Sequence, residues 1–154
     1  MLIDIEKEAQ RLCSNRLIVD DEQVAAFEET VERITSLSDP KHIALLCLGF
    51  DDATEQHEVM FGLVHAVESY DAVAGAEVAT TYFINTLPLL LPHASDWAEI
   101  LLLRILNNNE SRVLLRRLLK ATSSDSQQVV TSILKKLAEK KPKQFQQKVE
   151  EVLT

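Results

Sequence analysis

The twenty residues Phe50–Ser69, FDDATEQHEVMFGLVHAVES, bring together Asp51, Asp52, Glu55, His57, Glu58, His65 and Glu68. Carboxylates and imidazoles serve metal sites, proton transfer and charged docking faces, so spacing has to choose among the three. A zinc-protease arrangement needs histidines at i and i+4 with a glutamate between them. Here they stand eight apart, at 57 and 65, with no cysteine or third histidine in the segment. Acid–base or nucleophilic catalysis would need a nucleophile or a paired carboxylate held beside His65. No GxSxG turn, cysteine–histidine framing or glycine-rich phosphate loop occurs. The pattern therefore argues against catalysis, a metal or a cofactor, and leaves an interaction face or a merely solvated one. Phe61 favours interaction, because an aromatic among Glu58, His65 and Glu68 has the make-up of an interface anchor. It could equally pack beneath a neighbouring helix.

The element that positions these side chains reads as a helix capped by Asp51 or Asp52 and running to about Ser69. On its wheel Val59, Met60, Leu63, Val64 and Val67 share one side. His57, Glu58, Phe61, Gly62, His65, Glu68 and Ser69 share the other. A first helix is expected over Leu2–Arg16. A second, capped by Asp20 or Asp21, reaches about Ser36 with Glu28, Glu29 and Glu32 outermost, an acidic face in reserve. Asp39 and Pro40 start a short buried helix, and a fifth covers roughly Ala72–Leu87. Ser95 or Asp96 should cap WAEILLLRILN, Asn109 should cap ESRVLLRRLLKA, and Ser124 should cap a helix through Lys140. Pro142 then begins the last helix. The helix holding Trp97 is apolar almost all round and should be central. Arg104 shares its buried stripe, so the charge must find Glu58, Glu68 or Asp51, and reversing it should unfold the domain.

These elements make an all-α chain, one domain over residues 1–154 with eight or nine short helices packed as antiparallel hairpins. An irregular helical array and an orthogonal bundle remain open. A domain of this size buries roughly 70% of the surface its unfolded chain exposes, so it folds without staples. Cys13 and Cys47 sit among apolar residues and read as reduced core thiols. The acidic start MLIDIEKEAQR lacks the features of a signal peptide, and no apolar run spans a bilayer; a cytoplasmic protein without membrane contact is expected.

Charge is segregated along the chain. Residues 1–100 carry 19 Asp and Glu against 5 Lys and Arg, whereas residues 101–154 carry 5 against 11. The halves are therefore −14 and +6, which sum to the net −8. An acidic part of this kind repels nucleic acid and attracts basic proteins. Lys135, Lys136, Lys140, Lys141 and Lys143 form a basic run, but no aromatic interleaves with it. They read as solvated and salt-bridging residues, without nucleic-acid binding.

The order FDD (Phe50–Asp52), HEVMFGLVHAVES (His57–Ser69), LPLLLPHASDWA (Leu87–Ala98) and RILNN (Arg104–Asn108) resembles the immunity protein 30 family. The resemblance runs over about Ile43–Leu119, and the N-terminal helices and lysine-rich end are less distinctive. It implies a bacterial, cytoplasmic, mostly helical protein of polymorphic toxin and contact-dependent growth inhibition systems. Such a protein binds the C-terminal toxic domain of a cognate effector, encoded immediately upstream, and blocks it stoichiometrically. Toxins of this kind are often nucleases, whose basic clefts suit an acidic inhibitor. Two other readings stay in play: a helical adaptor for an unrelated basic partner, and an enzyme or regulator using His57, Glu58 and His65. For the docking face the reading selects Asp51, Asp52, Glu55, His57, Glu58, Phe61, His65 and Glu68.

Overall fold

The computed structural model describes residues 2–154. Ten α-helical segments follow one another: α1 (Ile5–Ser14), α2 (Asp21–Ser36), α3 (Ile43–Cys47), α4 (His57–Glu68), α5 (Tyr70–Ala74), α6 (Ala76–Thr86), α7 (Ser95–Leu106), α8 (Asn109–Leu119), α9 (Ser124–Lys140) and α10 (Pro142–Leu153). Two 3-10 turns, Pro40–His42 and Leu87–Leu90, start at proline-bearing connections. No strand occurs among the described residues, so the chain is all-helical.

Local sequence explains most helix starts. Asp4 accepts the Lys7 N–H, Asp20 the Gln23 N–H, Asn108 the Ser111 N–H and Ser123 the Ser126 N–H. Each satisfies a donor that the first turn leaves without an intrahelical partner. For α8 and α9 the caps sit one residue before the expected Asn109 and Ser124. The helix expected over Ala72–Leu87 is broken at Gly75, whose φ of 88° interrupts the ladder between α5 and α6. Only glycine takes that backbone angle without a steric cost.

Successive helices pack on one another as α1 with α2, α5 with α6, α7 with α8 and α9 with α10. α6 lies against α3, α8 and α9, and α7 against α8 and α9. A contiguous apolar cluster runs from Leu12 through Phe27, Leu46, Leu63, Tyr70 and Leu102 to Phe145 and Val152. Trp97, Ala98, Leu101, Leu102 and Leu106 are buried within it, as the apolar surface of α7 requires. Cys13 and Cys47 are free thiols, and complete burial pushes Cys47 up to about 12.

Candidate partner-binding face

The acidic segment does not begin as a helix. α4 starts only at His57, and Phe50–Gln56 forms a tied-down loop in front of it. Asp51 accepts the Ala53 N–H at 2.9 Å and pairs with Arg16 Nε at 3.0 Å, with its side chain only 14% exposed. Arg16 also donates to the Leu48 carbonyl, and the Thr54 hydroxyl donates to the Arg16 carbonyl. The Asp52 N–H donates to the His93 carbonyl at 2.9 Å.

The Asp52 carboxylate has an assignment that spacing could not reveal. It accepts the Asp96 N–H at 3.1 Å on each oxygen and lies 3.4 Å from the Trp97 N–H. Asp52 therefore caps α7 rather than α4, across a separation of 44 residues. The local N-cap of α7 is Ala94, which has no side chain able to accept, so Ser95 and Asp96 do not fill this role. Burial holds the Asp52 pKa above the ordinary carboxylate value, helped by the like charges of Asp96 and Asp51 and opposed by the two backbone donors.

Glu68 is also engaged. Its carboxylate takes a two-pronged contact from Arg104 Nε and Nη2, each at 2.8 Å. This corrects the burial expected for Arg104: its side chain is 38% exposed and that of Glu68 37%. A long arginine stem can run along apolar surface while its charged head stays in water, so a place on an apolar helix does not bury the charge. Arg104 is thus a half-exposed clasp between α4 and α7.

Three of the eight selected side chains, Asp51, Asp52 and Glu68, therefore hold the fold together. The other five, Glu55, His57, Glu58, Phe61 and His65, are exposed. Glu55 and Glu58 form no ion pair among the described residues. Phe61 packs against α7 and still reaches the surface. Its ring meets Trp97 edge-on at 5.2 Å, yet the residue stays 37% exposed. His57 approaches the same indole at 6.1 Å, and Phe50 stacks on it at 5.8 Å from within. Trp97 supports the visible aromatics from below.

Packing of α4 on α2 adds what the segment alone could not show. Between them lies a groove of about 260 Å³. Its floor is Phe27, Val31, Val59 and Leu63, and its rim carries Glu28, Glu32 and Glu58. Glu28 and Glu32 lack an ion pair among the described residues, whereas Glu29 is held by Arg11 and Arg33. The acidic faces of α2 and α4 are thus one surface. Among the described residues no group of three or more His, Cys, Asp or Glu is placed to hold a metal ion. No described helix is long and apolar enough to cross a membrane.

The model of the family described as Immunity protein 30 matches residues 14–115. The chain belongs to the immunity protein 30 family. The match begins well before Ile43, so it includes α2 and the whole α2–α4 groove, and it ends before the lysine-rich α9. No curated protein and no solved structure matches the chain. Membership in this immunity family gives the chain a toxin-neutralising role and, in general terms, a toxin as partner. The residues that carry its resemblance to the family are largely contact residues. FDD meets SDW through Asp52 and the Phe50–Trp97 stack, and Glu68 meets Arg104.

Proposed function

We propose that this immunity 30 protein binds the C-terminal toxic domain of a cognate polymorphic or contact-dependent growth inhibition effector, one to one. It does so through the joined acidic face of α2 and α4. The observation that carries this reading is that Glu28, Glu32, Glu55 and Glu58 form no ion pair among the described residues. Carboxylates left in this state on one face steer a cationic surface toward them and speed encounter. Phe61 and His57, supported by Trp97, supply apolar contact that slows release. A nuclease is the toxin class this charge fits, because a cleft that holds phosphates is itself basic. Inhibition is then occlusion, with no bond made or broken by the immunity protein.

The test pairs the purified chain with the toxin domain encoded by the gene immediately upstream. A stoichiometric complex and protected growth on co-expression are expected. Glu55→Lys should raise Kd roughly tenfold with an unchanged melting temperature, since an exposed lone charge contributes little to folding. Absence of a complex at micromolar concentration in dilute buffer overturns the reading. Unchanged affinity in Glu55→Lys removes the loop from the contact.

A further inference from the structure

Gly62 lies in the interior of α4 and faces the α2–α4 groove. Glycine inside a helix is unfavourable relative to alanine, so the fold should show a reason for it. It shows none. Gly62 has no positive φ, and a Cβ built on it meets nothing within 4 Å. The contrast with the other glycines is direct. A Cβ on Gly49 would strike Leu12 and Leu63 at 3.0 Å, and Gly75 takes a φ of 88°. Those two glycines serve the fold.

The bare backbone at Gly62 adjoins Val59 and Leu63 on the groove floor, and Glu28, Glu32 and Glu58 rise on the rim. An apolar trough whose edge carboxylates form no ion pair among the described residues matches a segment that carries an apolar side chain between lysines or arginines. A missing Cβ in this lining lets that side chain reach the α4 backbone.

We infer that the α2–α4 groove is the seat for one basic segment of the toxin domain, whose central apolar side chain packs directly on Gly62. This rests on the proposed toxin-binding function and specifies which contact discriminates between partners. The cations of that segment pair with Glu28, Glu32 and Glu58, while the groove floor takes its apolar residue. A partner with a larger side chain at the centre is rejected by shape.

The inference predicts opposite signs for folding and binding. Gly62→Ala should raise the melting temperature by about 2–4 °C, because helix propensity improves and nothing is displaced. Gly62→Leu fills the trough and should raise Kd for the upstream-encoded toxin domain at least tenfold, with Gly62→Ala between it and wild type. Glu32→Lys should weaken the same complex at unchanged melting temperature. If both Gly62 variants bind as wild type does, or if Gly62→Ala melts lower, the glycine serves something else and the inference fails. Failure of the wild-type chain itself to bind is a different result: it removes the function and this seat with it.

Discussion

Trp97 and Arg104 stand seven residues apart on α7 and contribute very differently. Trp97 is 4% exposed and in contact with three rings, so replacing it leaves a cavity where α4, α7 and the Phe50 loop meet. Arg104 makes a well-formed pair with Glu68, but in partial contact with water, where such pairs contribute roughly 0.2–1 kcal/mol. The Glu68 contact holds the Arg104 pKa above its ordinary value, so the charge persists at any working pH. Urea unfolding should therefore show a loss of about 3–5 kcal/mol for Trp97→Ala and under about 1 kcal/mol for Arg104→Met. The expectation that Arg104 reversal unfolds the domain gives way to a folded, modestly weakened variant. Equal losses for the two substitutions would show that the ion pair is desolvated in solution.

α7 begins without a capping residue of its own and borrows one from the loop ahead of α4. This makes the Phe50–Gln56 loop and the start of α7 a single unit, closed by Asp52, by the Asp52 N–H to His93 bond and by the Phe50–Trp97 stack. Loss of a capping side chain costs about 1 kcal/mol, so Asp52→Ala should lower stability by about that amount. Asp52→Asn keeps an acceptor and should cost less. Because the folded state holds a proton on Asp52 more tightly than the unfolded chain, this group's contribution falls as pH rises from the ordinary carboxylate value through its raised one. Denaturant titration across that interval should show this component in wild type and its absence in Asp52→Asn. A loss in Asp52→Asn equal to that in Asp52→Ala would mean that charge, and not geometry, makes the cap.

The segregated charge of the chain is partly cancelled by folding. Arg104 with Glu68, Arg117 with Glu77 and Lys140 with Glu99 join the basic C-terminal part to the acidic remainder. What they leave includes Glu28, Glu32, Glu55 and Glu58, exposed on α2, on α4 and on the loop before α4, with no ion pair among the described residues. Lys135, Lys136, Lys141 and Lys143 have no ion pair among the described residues and lie on α9 and α10 or between them, outside the family match. Steering by such a field is screened at the Debye length, about 8 Å at physiological salt. The association rate with the toxin domain should thus fall steeply as salt rises from low concentration, while dissociation changes less. Stopped-flow measurement over a salt series checks this, and a flat association rate would dismiss steering.

The helical class, the two faces of α4 and the caps Asp20 and Asp39 were legible because each depends on residues a few positions apart. Periodicity places Met60, Leu63, Val64 and Val67 inside, and all four are buried. The carboxylates of Asp20 and Asp39 reach N–H groups only three and two residues ahead. Glu68 is among the partners that the sequence offers Arg104, but the half-exposure of the pair is decided by how α4 and α7 lie in the packed molecule. Tertiary structure alone decided that Asp52 caps α7 from 44 residues away, that Asp51 turns to Arg16, and that α2 and α4 enclose a groove with Gly62 facing it. Hydrogen bonds and apolar stripes within one element are set by the local repeat. Which carboxylate remains free for a partner depends on which distant cation or helix end the packing brings within 3 Å.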